Sequence, residues 1–256
     1  MTEDTIIYEQ PLNEIIRACL RIEQLFLQAD HLMNDNTYFG TRNIIAVIIN
    51  LLQLVERPDL KAKLAKELIN QTVTLSRLES TPEIDHEKLQ ATIRELNKLA
   101  SSLIDNNQKI AQNLRQVELL NSLRLHLASP GGGLSFDIPI YHYWLNLSLE
   151  ERNNTINSWL SEFNQIRNSI SIMLKLIRES SKFIKKTAEN GFYQEPLDPQ
   201  ANLPMVRVAI QSKSSVYPEI SVGRHYLSVR YFTPSINNRP VQFSNNLDFW
   251  ISHCSV

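Results

Sequence analysis

Cysteine, glycine and charge of one sign are all scarce in this chain, and each shortage excludes something. Only two cysteines, Cys19 and Cys254, occur in 256 residues. They allow no disulfide framework and no CxxC zinc site, so a reducing compartment fits. Gly-rich phosphate loops followed by Lys are missing, Gly131 to Gly133 lack the GxGxxG spacing, and GxSxG is absent. A tight turn is the expected role of that glycine triplet. The formal net charge of −1 excludes nucleic-acid binding by the field of the whole molecule. No apolar run approaches the roughly 20 residues of a membrane span. The longest, Ile44 to Ile49, stops at Asn50. The opening Met1-Thr2-Glu3-Asp4 is acidic where a signal peptide is basic. Together these features predict a cytoplasmic protein with no membrane partner.

Catalytic patterns are equally thin. The histidines are His31, His86, His126, His142, His225 and His253, and none pairs with another at i, i+3 or i+4. A helical metal site is therefore not expected. His253 and Cys254 are adjacent, and neighbouring side chains in a strand point apart, which is poor geometry for a nucleophile and its base. We expect no catalytic residue, no metal and no cofactor. A hydrolase with a dispersed site, using His142 and the aromatics around it, remains the enzymatic alternative.

Hydrophobic periodicity is abundant. Thr5 to Glu9 has the composition of a short strand, and Pro11 is expected to open a helix. Ile15, Ile16, Cys19, Ile22, Leu25 and Phe26 recur at helical spacing to about Met33. A second helix, about Tyr38 to Glu56, is apolar almost all round and should be central. Pro58 breaks it and is expected to start a third helix through Leu75, and a fourth carries Leu89 to Leu103. Shorter helices are expected at Ile110 to Leu114 and Val117 to Leu127. Pro130 and the glycines mark a loop, with Phe136, Tyr141, Tyr143 and Trp144 beyond it, expected to pack as core. Ser148 and Glu151 have capping-box spacing. A long last helix with Ile166, Ile170, Met173, Leu174 and Ile177 on one face should end at Asn190-Gly191. Beyond Gly191, Val206, Leu227 and Leu247 each begin a period-two alternation, the pattern of an antiparallel sheet with one wet face. The fold class predicted is mainly α with a small β part (α+β), a helical bundle domain plus an antiparallel β-sheet domain. The expected domains are residues 10–190 (helical) and 191–256 (β), with an N-terminal strand at residues 4–9 joining the sheet.

Charge placement carries the binding hypotheses. Lys175, Arg178, Lys182, Lys185 and Lys186 fall on the expected last helix, as a solvated face or as cations at a helix C-terminus. Arg224, Tyr226, Ser228 and Arg230 fall on one face of a strand, opposite Leu227, Val229 and Tyr231. Arg207 should point outward from its own strand. Arginines beside a tyrosine suit carboxylate recognition, because guanidinium forks bind carboxylates and stack on rings. An ordinary wet sheet face accounts for the pattern equally well. A nucleic-acid binder using the basic helix and the arginine-bearing sheet is a further alternative.

Longer strings then narrow the field. Tyr8-Glu9-Gln10-Pro11-Leu12-Asn13-Glu14 through Leu20-Arg21-Ile22-Glu23 resembles the start of the ZapD family, the Z-ring-associated proteins D. So do Ser129-Pro130-Gly131-Gly132-Gly133-Leu134-Ser135-Phe136-Asp137-Ile138-Pro139, Asn190-Gly191-Phe192-Tyr193-Gln194 and Tyr217-Pro218-Glu219-Ile220-Ser221. The resemblance implies a homodimer with a helical and a β domain. It implies binding to the C-terminal tail of the tubulin-like GTPase FtsZ, cross-linking or bundling of its filaments at mid-cell, and no nucleic-acid partner. It further implies a basic tail pocket lying between the domains. Carried onto this chain, that pocket would use Arg57, in Leu54-Val55-Glu56-Arg57-Pro58, and Arg230. A third cationic position falls on Tyr226, a departure from the family pattern, and Arg224 two residues earlier is the candidate to supply that charge.

Overall fold

A computed structural model describes residues 4–82, 85–127, 129–198, 200 and 202–255. Its elements are β1 (Thr5–Pro11), α1 (Glu14–Leu32), α2 (Tyr38–Val55), α3 (Leu60–Ser76), α4 (His86–Asp105), α5 (Glu118–His126), α6 (Pro139–Leu145), α7 (Leu149–Ser161) and α8 (Asn164–Glu179). They continue as β2 (Ile184–Ala188), β3 (Phe192–Pro196), β4 (Met205–Gln211), β5 (Tyr217–Val222), β6 (Tyr226–Thr233), β7 (Val241–Gln242) and β8 (Leu247–Cys254). The fold is α+β. The chain divides into two compact units, Met1–Arg17 with Leu174–Val256, and Ala18–Met173.

In the helical unit, α2 is the core element. Ile44, Ile45, Ile48 and Leu51 are at most 1% exposed. By length and composition α2 could cross a membrane, yet 56% of that window is buried within the fold. An all-round apolar helix in a bundle has this property, because each of its sides meets a neighbour. α3 packs chiefly on α4. Short polar side chains close the helix starts: the Gly40 N–H donates to Thr37 Oγ1 at 2.9 Å and the Lys88 N–H to Asp85 Oδ1 at 3.0 Å. At α7 the capping box is complete: the Glu151 N–H donates to Ser148 Oγ and the Ser148 N–H to Glu151 Oε2.

Several boundaries differ from expectation. Pro11 does not open α1 but ends β1, paired with Met205. The helix starts at Glu14, with the Ile16 N–H donating to Asn13 Oδ1 at 2.9 Å. Similarly, Pro58 lies in a turn and α3 begins at Leu60. Where a helix was expected at Ile110 to Leu114, there is a 3-10 turn at Asn113–Gln116. The largest correction concerns the last helix, which stops at Glu179. Ile184–Ala188 is a strand paired antiparallel with β8. Asn190 and Gly191, with φ of 50° and 69°, turn the chain into β3.

The other unit holds two antiparallel sheets rather than one. The first has the order β1-β4-β8-β2; the second has β3-β6-β5, with β7 also on β6. Val206, Val208, Ile210, Phe249 and Ile251 of the first sheet share a core with Leu227, Val229 and Tyr231 of the second. All eight are 0% exposed. At about 1.5–3 kcal/mol for each large apolar side chain removed from water, this sandwich is the main stabilising term of the unit. Pro218 lies in β5, at the edge of that three-strand order, where a missing N–H donor is tolerated.

Candidate functional site

The β6 alternation puts Leu227, Val229 and Tyr231 wholly inside and leaves Tyr226, Ser228 and Arg230 on the other face. Tyr226 is 56% exposed. Register places Phe192 of β3 and Glu219 of β5 on either side of Arg230. The Arg230 guanidinium carbon lies 5.7 Å from the Phe192 ring centroid, a cation–π contact that steadies the fork above the sheet. Among the described residues Arg230 makes no ion pair, so Glu219, its cross-strand neighbour, does not neutralise it by direct contact. A fork resting on a ring, with a tyrosine four residues along the strand, is a surface that an extended peptide carrying a carboxylate fits.

Arg224 is not on that face. β6 begins at Tyr226, and Arg224 sits in the exposed bend after β5, where strand alternation no longer applies. There it lines a cleft of about 350 Å³ with Leu12, Arg17, Leu203 and Val222. Arg17 was missed in the sequence. It lies some 200 positions from Arg224, and only tertiary structure brings the two together.

Arg57 belongs to the helical unit, half-buried in the link from α2 to α3. The Leu60 N–H donates to its carbonyl at 3.2 Å. The preceding Glu56 is held by Arg124 through two bonds of 3.0 Å and by Arg115 at 3.7 Å. The Asp59 carboxyl is held below its ordinary pKa, chiefly by the Lys63 hydrogen bond, with the Arg57 charge a smaller contributor.

The other cations are distributed differently from the sequence pattern. Arg207 does not face water. It lies 3.1 Å from Glu9, 5.1 Å from the Phe183 ring centroid, and its Nη1 donates to the Arg178 carbonyl. Both faces of the first sheet are covered here, and Met205 and Ala209 on the Arg207 side are also 0% exposed. The expected basic helix face is not formed: Lys182 follows α8, and Lys185 and Lys186 lie in β2. Lys185 pairs with Asp248 at 2.7 Å and Lys186 lies 5.9 Å from the Tyr193 ring. His142 is exposed on α6. Tyr141 and Trp144 are buried as expected, whereas Phe136 and Tyr143 are 78% and 68% exposed, contrary to expectation. Cys19 and Cys254 are 0% exposed, and burial pushes both thiols up. No group of His, Cys, Asp and Glu that could hold a metal occurs among the described residues.

With this geometry in hand, comparison with known proteins is specific. The family model ZapD, described as a cell division protein, matches residues 20–230. A Coxiella burnetii (strain RSA 493 / Nine Mile phase I) protein named Cell division protein ZapD is 33% identical over 258 residues, covering 100% of both chains. A protein of the same name from Methylococcus capsulatus (Bath) is 34% identical, covering 98% of this chain and 99% of its own. One from Azoarcus sp. (strain BH72) is 33% identical, covering 98% and 100%.

Proposed function

This chain belongs to the ZapD family of cell division proteins, and on that premise we propose that it binds the C-terminal tail of FtsZ and cross-links FtsZ filaments as a homodimer at mid-cell. The proposal has the protein working in the cytoplasm, without nucleotide, metal or catalysis. The observation that carries it is the β6 face, where Arg230 rests on Phe192 without an ion pair of its own among the described residues. That fork receives a tail carboxylate, and Tyr226, more than half exposed, covers an apolar side chain beside it. Arg57, on the helical unit, is a separate proposed contact for the tail, tested by its own variant.

Such a contact is weak by construction. A flexible tail loses conformational freedom when it docks, and this ordering offsets much of the contact energy. Two sites on one dimer, facing a filament that displays many tails, raise the effective concentration of the second contact and turn weak binding into bundling. Charges at a solvent-exposed site are screened by salt, so binding should weaken as ionic strength rises.

The test is co-sedimentation with FtsZ filaments and binding of a tail peptide. The wild-type chain is expected to pellet with filaments and bundle them. Arg230→Glu and Arg57→Glu are expected to lose this while keeping the wild-type circular dichroism. Undiminished bundling by both variants would remove the assigned residues. Binding indifferent to salt would indicate an apolar contact instead.

A further inference from the structure

We propose that Arg42 of α2 and Arg152 of α7 form a binding site for a phosphate group in the helical unit, with the Tyr141 hydroxyl as a third donor. The site is independent of the tail contact proposed above. Arg57 lies beyond the other end of α2, about 20 Å from Arg42 at ~1.5 Å per residue.

Three elements bring these groups together. Arg152 reaches from α7 to α2, where its Nη1 donates to Thr41 Oγ1 at 3.1 Å. The buried Thr41 hydroxyl donates in turn to the Thr37 carbonyl at 3.1 Å, which leaves its oxygen to accept. The loop before α6 places the remainder. A Cβ on Gly133 would lie 3.5 Å from Arg42 Nη1 and 3.8 Å from Tyr141 Cε1, so the guanidinium and the phenol ring flank one point. Tyr141 is 0% exposed, and among the described residues its hydroxyl has no hydrogen-bond partner. The buried Arg152 Nε and Trp144 Nε1 also lack one, and Trp144 stacks on Tyr141 with ring centroids 6.3 Å apart. Burial first, then Tyr38, pushes the Tyr141 hydroxyl up to about 12 against the opposing charges of Arg42 and Arg152. It is therefore a protonated donor at neutral pH.

Charge decides the class of ligand. Arg42 and Arg152 are half-buried, and among the described residues neither has a carboxylate within ion-pair distance. Arg115, Arg178 and Arg207, buried to a similar degree, each have a glutamate. The acidic groups nearest in sequence are engaged elsewhere. Asp137 accepts the Gly133 and Leu134 N–H groups at 3.1 Å each, Glu151 closes the α7 capping box on Ser148, and Asp35 accepts the Thr37 N–H at 3.0 Å. Two poorly solvated cations without a counter-charge, beside buried donors without an acceptor, form an arrangement that a bound anion relieves. Every one of these groups donates, so the ligand is an acceptor. A carboxylate offers two oxygens in one plane and a single charge. A phosphate group offers oxygens in several directions and up to two charges, which matches two guanidinium forks and a hydroxyl approaching from three helices.

Titration calorimetry on the full-length chain, with chloride balancing the ionic strength, would compare inorganic phosphate, glycerol 3-phosphate and acetate. Phosphate is expected to bind at one site per chain, and acetate about tenfold more weakly or worse. Arg42→Gln and Arg152→Gln are each expected to weaken phosphate binding about tenfold or more, with unchanged circular dichroism. Tyr141→Phe keeps the ring and removes only a hydroxyl that has no protein partner. Its thermal midpoint without phosphate should not fall below that of wild type, whereas added phosphate should raise it less than it raises wild type. A hydroxyl with a purely structural role would not give that split. Tighter binding of glycerol 3-phosphate than of the free ion would place the phosphate on a small molecule, and equal or weaker binding would assign the free ion. The site is overturned if neither phosphate binds at about 10 mM, if acetate binds as tightly as phosphate, or if both arginine variants bind phosphate within about twofold of wild type.

Discussion

Glu9 holds two arginines at once. Its carboxylate accepts Arg178 Nε and Nη2, each at 2.9 Å, and lies 3.1 Å from Arg207 Nε. The three side chains are only 14–26% exposed. Loss of the one carboxylate from this poorly solvated cluster removes the shared counter-charge of two arginines, so Glu9→Gln is expected to cost about 2–4 kcal/mol. Lys185 and Asp248 form a pair that is more than half exposed on both sides, and Lys185→Ala should cost less than about 1 kcal/mol. Urea unfolding of the two variants beside wild type compares them, and equal costs would contradict the distinction between buried and screened charge. The same residues mark how much the sequence reveals at this scale. Alternation assigned Leu227, Val229 and Tyr231 to the core. It assigned Arg207 to water, because a two-residue period reports which side a residue is on and not whether that side is covered.

Elements were legible where one signal dominated and ambiguous where a signal has two meanings. α2 and the α7 capping box each rest on patterns that point to a single structure. Asn190-Gly191 does not, since Asn and Gly suit a helix C-cap and equally a tight hairpin turn with positive φ at both positions. The helical spacing up to Ile177 favoured the cap, but Ile184–Ala188 is drawn into the sheet by its pairing with β8. Gly191 is bound to the hairpin for a second reason: a Cβ there would lie 2.0 Å from Phe243 O. Gly191→Ala thus combines left-handed backbone strain with a clash against main chain. It is expected to lower stability by at least about 2 kcal/mol. Asn190→Gly, which keeps the turn geometry available, should change it by less than about 1 kcal/mol. Thermal unfolding distinguishes the two, and a Gly191→Ala protein as stable as wild type would mean that the turn rearranges freely.

At the scale of the whole molecule, several large apolar side chains lie outside either core. The expectation that the aromatics beyond the glycine loop are core was half wrong, because α6 is amphipathic. It buries Tyr141, Trp144 and Leu145 and turns out Ile140 and Tyr143, which are 60% and 68% exposed. Phe39 at the start of α2 is 71% exposed, Phe136 before α6 is 78% exposed, and Leu134 in the loop is 47% exposed. The loop lies close to the start of α2, since a Cβ on Gly133 would be 3.5 Å from Arg42 Nη1. At on the order of 100–150 Å² for each such side chain, the apolar area these residues leave bare adds up to about one partner's share of a stable interface. If the homodimer of the proposed function forms, these residues are the predicted contact. Wild type is expected to sediment as a dimer at micromolar concentration. A Phe136→Ser, Tyr143→Ser double variant should be monomeric and folded, since both side chains are more than two-thirds exposed. The monomer should still bind the tail peptide with wild-type affinity and fail to bundle filaments, because one site per molecule cannot bridge. A double variant that stays dimeric moves the interface elsewhere, and a monomer that still bundles would overturn cross-linking by dimers.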